Sequence, residues 1–295
     1  MKEGIIKRLR LLRRWSLMDK TYQWAFISDL DRTLIHSRYP NERVVELYTT
    51  TQVRMRDDLS ASAWEEVVEI KPLTYMTEKA YQQLKELLNQ PEGLLIPCTM
   101  RNLQQVKRIE FFKEKLPPIV ICTNGAQIYR EGKLDLTWER QMRALITRET
   151  LVEEKRQIEA LNLPNVEIRI TEDFYLTLKF EQEESASQSI SRLKELFPPR
   201  HRQVIQVGRK VFIIHPSIDK VHAVDYVTQG QPWEDRVFTS GDSIVDQRFT
   251  RRGQAILPAH ASFQGKPTDI RTQKSGIEAT EEILSHLKQQ ITHKI

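Results

Sequence analysis

WAFISDLDRT (24–33) sets an apolar run directly against two carboxylates and a hydroxyl. A short apolar run without alternation reads as a strand buried on both faces, as in a parallel sheet covered on each side by helices. The same grammar recurs at GLLIPCT (93–99), PIVICTNG (118–125), RVFTSGD (236–242) and AILP (255–258). Helix-period segments fall between these runs at 78–89, 102–115 and 219–228, with another at 277–291 after the last. Alternating strands and helices predict an α/β fold with a doubly wound, Rossmann-like parallel sheet. Ligands of such sheets bind beyond the carboxyl ends of the strands, where the polar residues of these runs lie.

Residues from about 133 to 215 break that rhythm. They read as a helix (150–162), strands (166–171 and 174–180), a helix (185–196) and strands near 203–207 and 210–214 joined by a tight turn at VGRK. An αββαββ order predicts a small α+β domain, 133–215, inserted into a core made of 18–132 and 216–295. Residues 36–72 are a second irregularity. Apolar and β-branched patches at VVELY (44–48) and AWEEVVEI (63–70) flank a polar middle, which predicts a hairpin-like flap, with an irregular loop as the alternative.

The 295 residues are 39% hydrophobic, enough to bury a large core. Lys and Arg number 45 against 40 Asp and Glu, but residues 1–17 hold six of the bases and one acid, so the remainder is neutral at 39 against 39. The basic pI therefore belongs to an N-terminal arm and argues against a nucleic-acid-binding face on the body. That arm reads as a solvated extension or as a basic amphipathic helix able to rest on an anionic membrane surface; a chain starting at Met18 would lack it. Charges interrupt its apolar residues, which excludes a signal peptide. No stretch reaches the apolar length of a membrane span. Cys98 and Cys122 sit at the ends of apolar runs and read as reduced core thiols, the usage expected of a cytoplasmic protein.

The chemistry gathers at the strand ends. Asp29 and Asp31, at i and i+2, would share one side of an extended backbone, one to bind a cation and attack phosphorus, the other to carry a proton. In GDSIVD (241–246), Asp242 suits a hard Mg²⁺ ion and Asp246 would complete or orient its shell. Thr99 precedes a helix and offers a hydroxyl and neighbouring N–H groups to phosphate oxygens, while Lys220 opens another helix and offers a fixed positive charge.

Asp-x-Asp-x-Thr, a strand-terminal Thr, a Lys and Gly-Asp-x-x-x-Asp, in that order along residues 24 to about 260, resemble the haloacid dehalogenase superfamily of phosphatases. The αββαββ insertion after the third strand and Thr123-Asn124-Gly125-Ala126 are similar to the subgroup with a C2-type cap, which includes Cof-like and sucrose-phosphate phosphatases. Thr99-Met100-Arg101 follows that subgroup's Thr-Gly-Arg pattern with Met in place of Gly, and Arg32 stands where many relatives carry Gly. The resemblance implies hydrolysis of a small phosphate monoester, a sugar phosphate or similar metabolite, with Asp29 as nucleophile and Asp31 as general acid and later base. It implies Mg²⁺ held by the Asp29 carboxylate, the Asp31 carbonyl and Asp242, with Asp246 nearby. Thr99 and Lys220 would steady the phosphoryl group, and Thr33, Arg101, Asn124 and Gly125 would face the substrate.

Two other readings compete. A phosphomutase or phosphotransferase on the same fold differs only in what accepts the phosphoryl group. A glycosyltransferase-like D-x-D that binds a nucleotide sugar leaves Thr33, Thr99, Lys220 and the GDSIVD loop without a role.

Overall fold

The computed structural model describes residues 22–37, 44–54, 67–113 and 115–293. The basic arm therefore lies outside the described residues. The first apolar run forms β1 (Trp24–Ser28), and its neighbours in the sheet are β4 (Gly93–Pro97) on one side and β12 (Val237–Ser240) on the other, both parallel to it. Beyond β12 lie β13 (Gln254–Leu257) and the short β14 (Ile270–Arg271), again parallel. On the far side, a Cys98–Ile121 bridge joins β4 to β5 (Ile119–Cys122).

Side chains of β1 alternate between two apolar layers. Trp24 and Phe26 pack with helices α1 (Glu78–Leu88), α2 (Leu103–Lys107), α3 (Glu110–Lys113) and α9 (Ile277–His293). Ala25 and Ile27 pack on the other face with α7 (Lys220–Thr228), with Trp233 and with Phe249 of the short α8 (Gln247–Thr250). Both faces are thus covered, and the doubly wound α/β expectation holds. Since β4 and β12 leave β1 in opposite directions, the chain order reverses at the carboxyl end of β1, which opens a crevice there.

The segment expected as one helix at 102–115 is two. Leu103, Val106, Ile109 and Phe112 are all buried at a spacing of three, which a continuous helix of 3.6 residues per turn would rotate off the core face. A turn at Arg108 and Ile109 resets the phase.

The hairpin expected in the 36–72 insert is present as β2 (Val44–Arg54) paired antiparallel with β3 (Val67–Thr77); residues 38–43 and 55–66, including the start of the AWEEVVEI patch, lie outside the described residues. After β5 comes a meander of β6 (Gln127–Arg130) and β7 (Lys133–Leu134), then α4 (Leu136–Arg143). A separate antiparallel sheet follows, in the order β10-β11-β9-β8, built from β8 (Val166–Thr171), β9 (Tyr175–Phe180), β10 (Gln203–Val207) and β11 (Lys210–Ile214). Helices α5 (Arg148–Glu159) and α6 (Glu183–Leu196) complete the αββαββ order, and Leu151, Ile158, Ala186 and Leu193 share an apolar cluster with Leu176, Leu178, Val211 and Ile213 of the sheet. No helix among the described residues is long and apolar enough to cross a membrane.

Candidate active site

The carboxyl ends of three core strands are held level around Asp29. Its N–H donates to the Ser240 carbonyl (2.9 Å), and the Cys98 N–H donates to the Ser28 carbonyl (2.8 Å). Beyond Asp29 the backbone stops being extended. Leu34 and Ile35 N–H groups both donate to the Leu30 carbonyl, and Arg32 adopts a left-handed φ of 65°. The two carboxylates of the D-x-D therefore do not share one side of a strand. Asp29 sinks inward, whereas the Asp31 side chain is 48% exposed and is gripped by Arg101 through two parallel 2.7 Å hydrogen bonds from Nε and Nη2.

Lys220 reaches Asp29 from the opposite wall. It is the first residue of α7, whose N-cap Asp219 accepts from the Val221 N–H (3.0 Å) and whose approach is fixed by the turn Thr123–Gly125. Asn124 Nδ2 donates to the Ile218 carbonyl (3.1 Å), and Trp138 Nε1 donates to the Gly125 carbonyl (2.9 Å). Gly125 has φ +89°, and a Cβ there would lie 2.6 Å from the Asp219 carbonyl oxygen, so only glycine lets the turn touch the helix start. The Lys220 Nζ, 1% exposed, donates to Asp29 Oδ1 and Asp246 Oδ1 at 2.6 Å each. Burial alone would lower its pKa, but Asp246 and Asp29 outweigh that and raise it, so the ammonium stays charged.

Asp29, Asp242 and Asp246 bring carboxylate oxygens within 4.8 Å of one another. Asp246 is saturated. Its Oδ2 accepts from the Asp242 N–H (3.2 Å), the Ser243 N–H (3.0 Å) and the Ser243 hydroxyl (2.9 Å), while Oδ1 takes Lys220. A Cβ at Gly241 would stand 2.4 Å from that of Asp246, which is why the loop needs glycine ahead of Asp242. Asp242 differs. Its Oδ2 is buried without a hydrogen bond, and the nearest cation, Arg32 Nε at 3.3 Å, is an ion-pair neighbour only. Burial first, then the Asp246 charge, pushes its pKa up to about 7 against the pull of Arg32 and Lys220. Asp29 is likewise raised, by burial first and by the neighbouring acids, with Lys220 opposing. Crowded carboxylates with one orphaned oxygen make a donor set of hard oxygens suited to a divalent cation such as Mg²⁺. The Asp31 carboxylate is not part of that group.

The remaining predicted residues are near the crevice in different ways. Thr99 is fully buried; its hydroxyl accepts from the Arg101 N–H (3.2 Å) and its carbonyl from the Asn124 N–H (3.1 Å), so it links β4 to the Thr123–Gly125 turn. Asn124 Oδ1 is buried and without a partner. Thr33 lies inside the fold, with its hydroxyl unpartnered and its carbonyl accepting from Thr280 Oγ1 (2.8 Å). Sequence reasoning missed Arg32 as the neighbour of Asp242, Trp138 as the brace of Gly125, and Asp219 as the cap that aims Lys220. Only Asp219 carried a local signal, an Asp immediately before a helix start.

Residues 72–257 match the profile of the family described as Sucrose-6F-phosphate phosphohydrolase. The chain belongs to that family. It is a phosphatase of the haloacid dehalogenase type, and its family places it among enzymes of phosphorylated sugars. The matched stretch contains Thr99, Lys220, Asp242 and Asp246 and begins after Asp29 and Asp31. No curated protein matches the chain in sequence. Among solved structures, a sucrose-phosphatase from Synechocystis sp. PCC6803 in complex with sucrose and phosphate is 18% identical at a TM-score of 0.60, covering 91% of this chain and 99% of that one. The C-terminal domain of trehalose-6-phosphate phosphatase from C. albicans is 13% identical at 0.55, covering 96% and 97%. A haloacid dehalogenase-like hydrolase protein from Bacillus subtilis is 12% identical at 0.52, covering 95% and 99%. At these identities the structural likenesses establish the shared fold.

Proposed function

We propose that this member of the sucrose-6F-phosphate phosphohydrolase family hydrolyses a sugar phosphate monoester in two steps at Asp29, in the cytoplasm, with Mg²⁺ as cofactor. An Asp29 carboxylate oxygen attacks phosphorus, the ester P–O bond breaks, and Asp31 gives its proton to the leaving sugar oxygen. Water then yields a proton to Asp31 and attacks the aspartyl-phosphate, releasing phosphate and restoring Asp29. Lys220 keeps the nucleophile oriented, and Asp246 holds Lys220 and the Asp242 loop in place. Asp29 and Asp242 would hold Mg²⁺, which neutralises phosphoryl charge when bound. The incoming phosphate draws Arg101 away from Asp31, which frees that carboxyl for proton transfer. The four-stranded sheet with α5 and α6 serves as the cap that encloses the sugar.

The observation that carries this reading is the Lys220 ammonium bridging Asp29 and Asp246 beside an orphaned Asp242 oxygen. The test is release of phosphate from p-nitrophenyl phosphate with Mg²⁺. We expect activity that EDTA abolishes and that Asp29→Asn lowers by about 10³-fold or more. Turnover that survives either treatment would overturn the mechanism. Trapping with a competing alcohol separates hydrolysis from transfer, since a mutase or transferase would pass the phosphoryl group to the alcohol instead of to water.

A further inference from the structure

The four-stranded sheet has two unlike faces. Leu176, Leu178 and Phe180 of β9 and Val211 and Ile213 of β11 are buried and share an apolar cluster with residues of α5 and α6. Strand alternation sends Thr177, Lys179, Lys210 and Phe212 to the opposite face. On that face Lys179 and Lys210 stand directly across from each other in the β9–β11 register. Like charges so placed repel, since opposed Cβ atoms lie only about 5 Å apart. Arg209 adds a third cation in the adjoining turn. Among the described residues no acid pairs with any of the three. The one carboxylate across from Lys179, on Glu167, is taken by Arg169.

The sheet stands beside the active site, and Lys210 on this face is within electrostatic reach of Asp31 and Arg101. The β8–β9 turn is tied to the loop after Thr99 by a 2.8 Å hydrogen bond from Asn102 Nδ2 to Glu172 Oε1, and to α4 by Arg143, which donates to the Glu172 carbonyl (3.1 Å). Lys210 is open to solvent yet walled by protein. Burial is the first cause of its lowered pKa, Asp31 opposes the shift, and Lys179, Arg101 and Arg209 add to it. Tyr175, on the same face, falls within the field of Lys220.

We propose that Lys179 and Lys210 form a subsite for a second anionic group of the substrate, a carboxylate or a further phosphate carried on the sugar. The enzyme would then act on charged sugar phosphates in preference to phosphorylated neutral sugars. The inference rests on the phosphatase reading above. It follows from an imbalance: the phosphoryl group to be transferred has Arg101 for a partner once Asp31 releases it, and Lys220 is engaged by Asp29 and Asp246, so two further ammonium groups with no ion pair of their own among the described residues are matched to something else the substrate brings.

The test compares kcat/KM within two substrate pairs, 6-phosphogluconate against glucose 6-phosphate and fructose 1,6-bisphosphate against fructose 6-phosphate, with p-nitrophenyl phosphate alongside. The wild-type enzyme is expected to favour the charged member of at least one pair by about tenfold or more, the scale of one charge-assisted hydrogen bond. The double variant Lys179→Met, Lys210→Met is expected to bring that ratio close to one, and Lys210→Arg to keep most of it. A wild-type ratio near one in both pairs, or a ratio the double variant leaves intact, overturns the subsite. An equal loss on every ester also overturns it, because the lysines would then serve the transferred phosphate. Hydrolysis of p-nitrophenyl phosphate without discrimination defeats the subsite alone, whereas inertness toward all these esters defeats the phosphatase reading with it.

Discussion

Lys220 shows how much a single side chain carries. Its ammonium is buried between Asp29 and Asp246, so Lys220→Met leaves two carboxylates facing each other in a dry site without their counter-charge. Breaking a buried pair by removing one partner costs about 3–5 kcal/mol, and we expect urea unfolding to show a loss of that size alongside the loss of turnover. Gly125→Ala acts by another route. The added methyl meets the Asp219 carbonyl at a φ that L-residues avoid, so the start of α7 must shift. The strain is about 1–3 kcal/mol, and phosphatase activity is expected to fall further than stability, because the displaced residue is the one that orients Asp29. Both effects separate in a paired measurement of melting temperature and kcat.

At the scale of elements, the loop after β1 is pinned to the C-terminal helix α9 by a short relay, His36 Nε2 to Thr280 Oγ1 (2.9 Å) and Thr280 Oγ1 to the Thr33 carbonyl (2.8 Å). Burial first, then the His260 ring and Arg32, lower the His36 pKa from 6.5 to about 4. Between those values the unfolded chain binds a proton that the folded chain refuses, so stability is full above pH 6.5 and declines as pH falls toward 4. The loss is on the order of 3 kcal/mol, and a His36→Gln variant should flatten that part of a pH–stability curve. Elements of this kind differ in how well sequence announces them. The core strands were legible because a sheet covered on both faces needs unbroken apolar runs, and the αββαββ segment because its helices and strands alternate in period. The β6–β7 meander and α4 escaped notice, being short and polar between two stronger signals. Asp29, Thr99, Lys220 and Asp242 stood out by ending strands or opening helices. The Arg101–Asp31 clasp and the Arg32–Asp242 contact join residues far apart in the chain, and the Trp138–Gly125 bond spans the whole β6–β7 meander, so no local pattern encodes them.

For the molecule as a whole, ligand binding and folding share one ledger. If Asp29 and Asp242 hold Mg²⁺ only in the folded state, the ion at 100 times its Kd adds about 2.7 kcal/mol of stability. Thermal melts with and without Mg²⁺ should show the shift, and Asp242→Asn should erase it. The second sheet is joined to the core near the crevice by the Asn102–Glu172 contact, which is exposed. Glu172→Ala is therefore expected to loosen this junction, raising hydrogen exchange in the β8–β9 turn while leaving the core strands protected. The ammonium threaded among the carboxylates has one more bearing on the molecule's life. Because a permanent resident cation already offsets much of the repulsion there, the fold does not depend on a visiting one. Chelation will silence the enzyme without unravelling it, and readmitting the metal will restore turnover with no refolding delay.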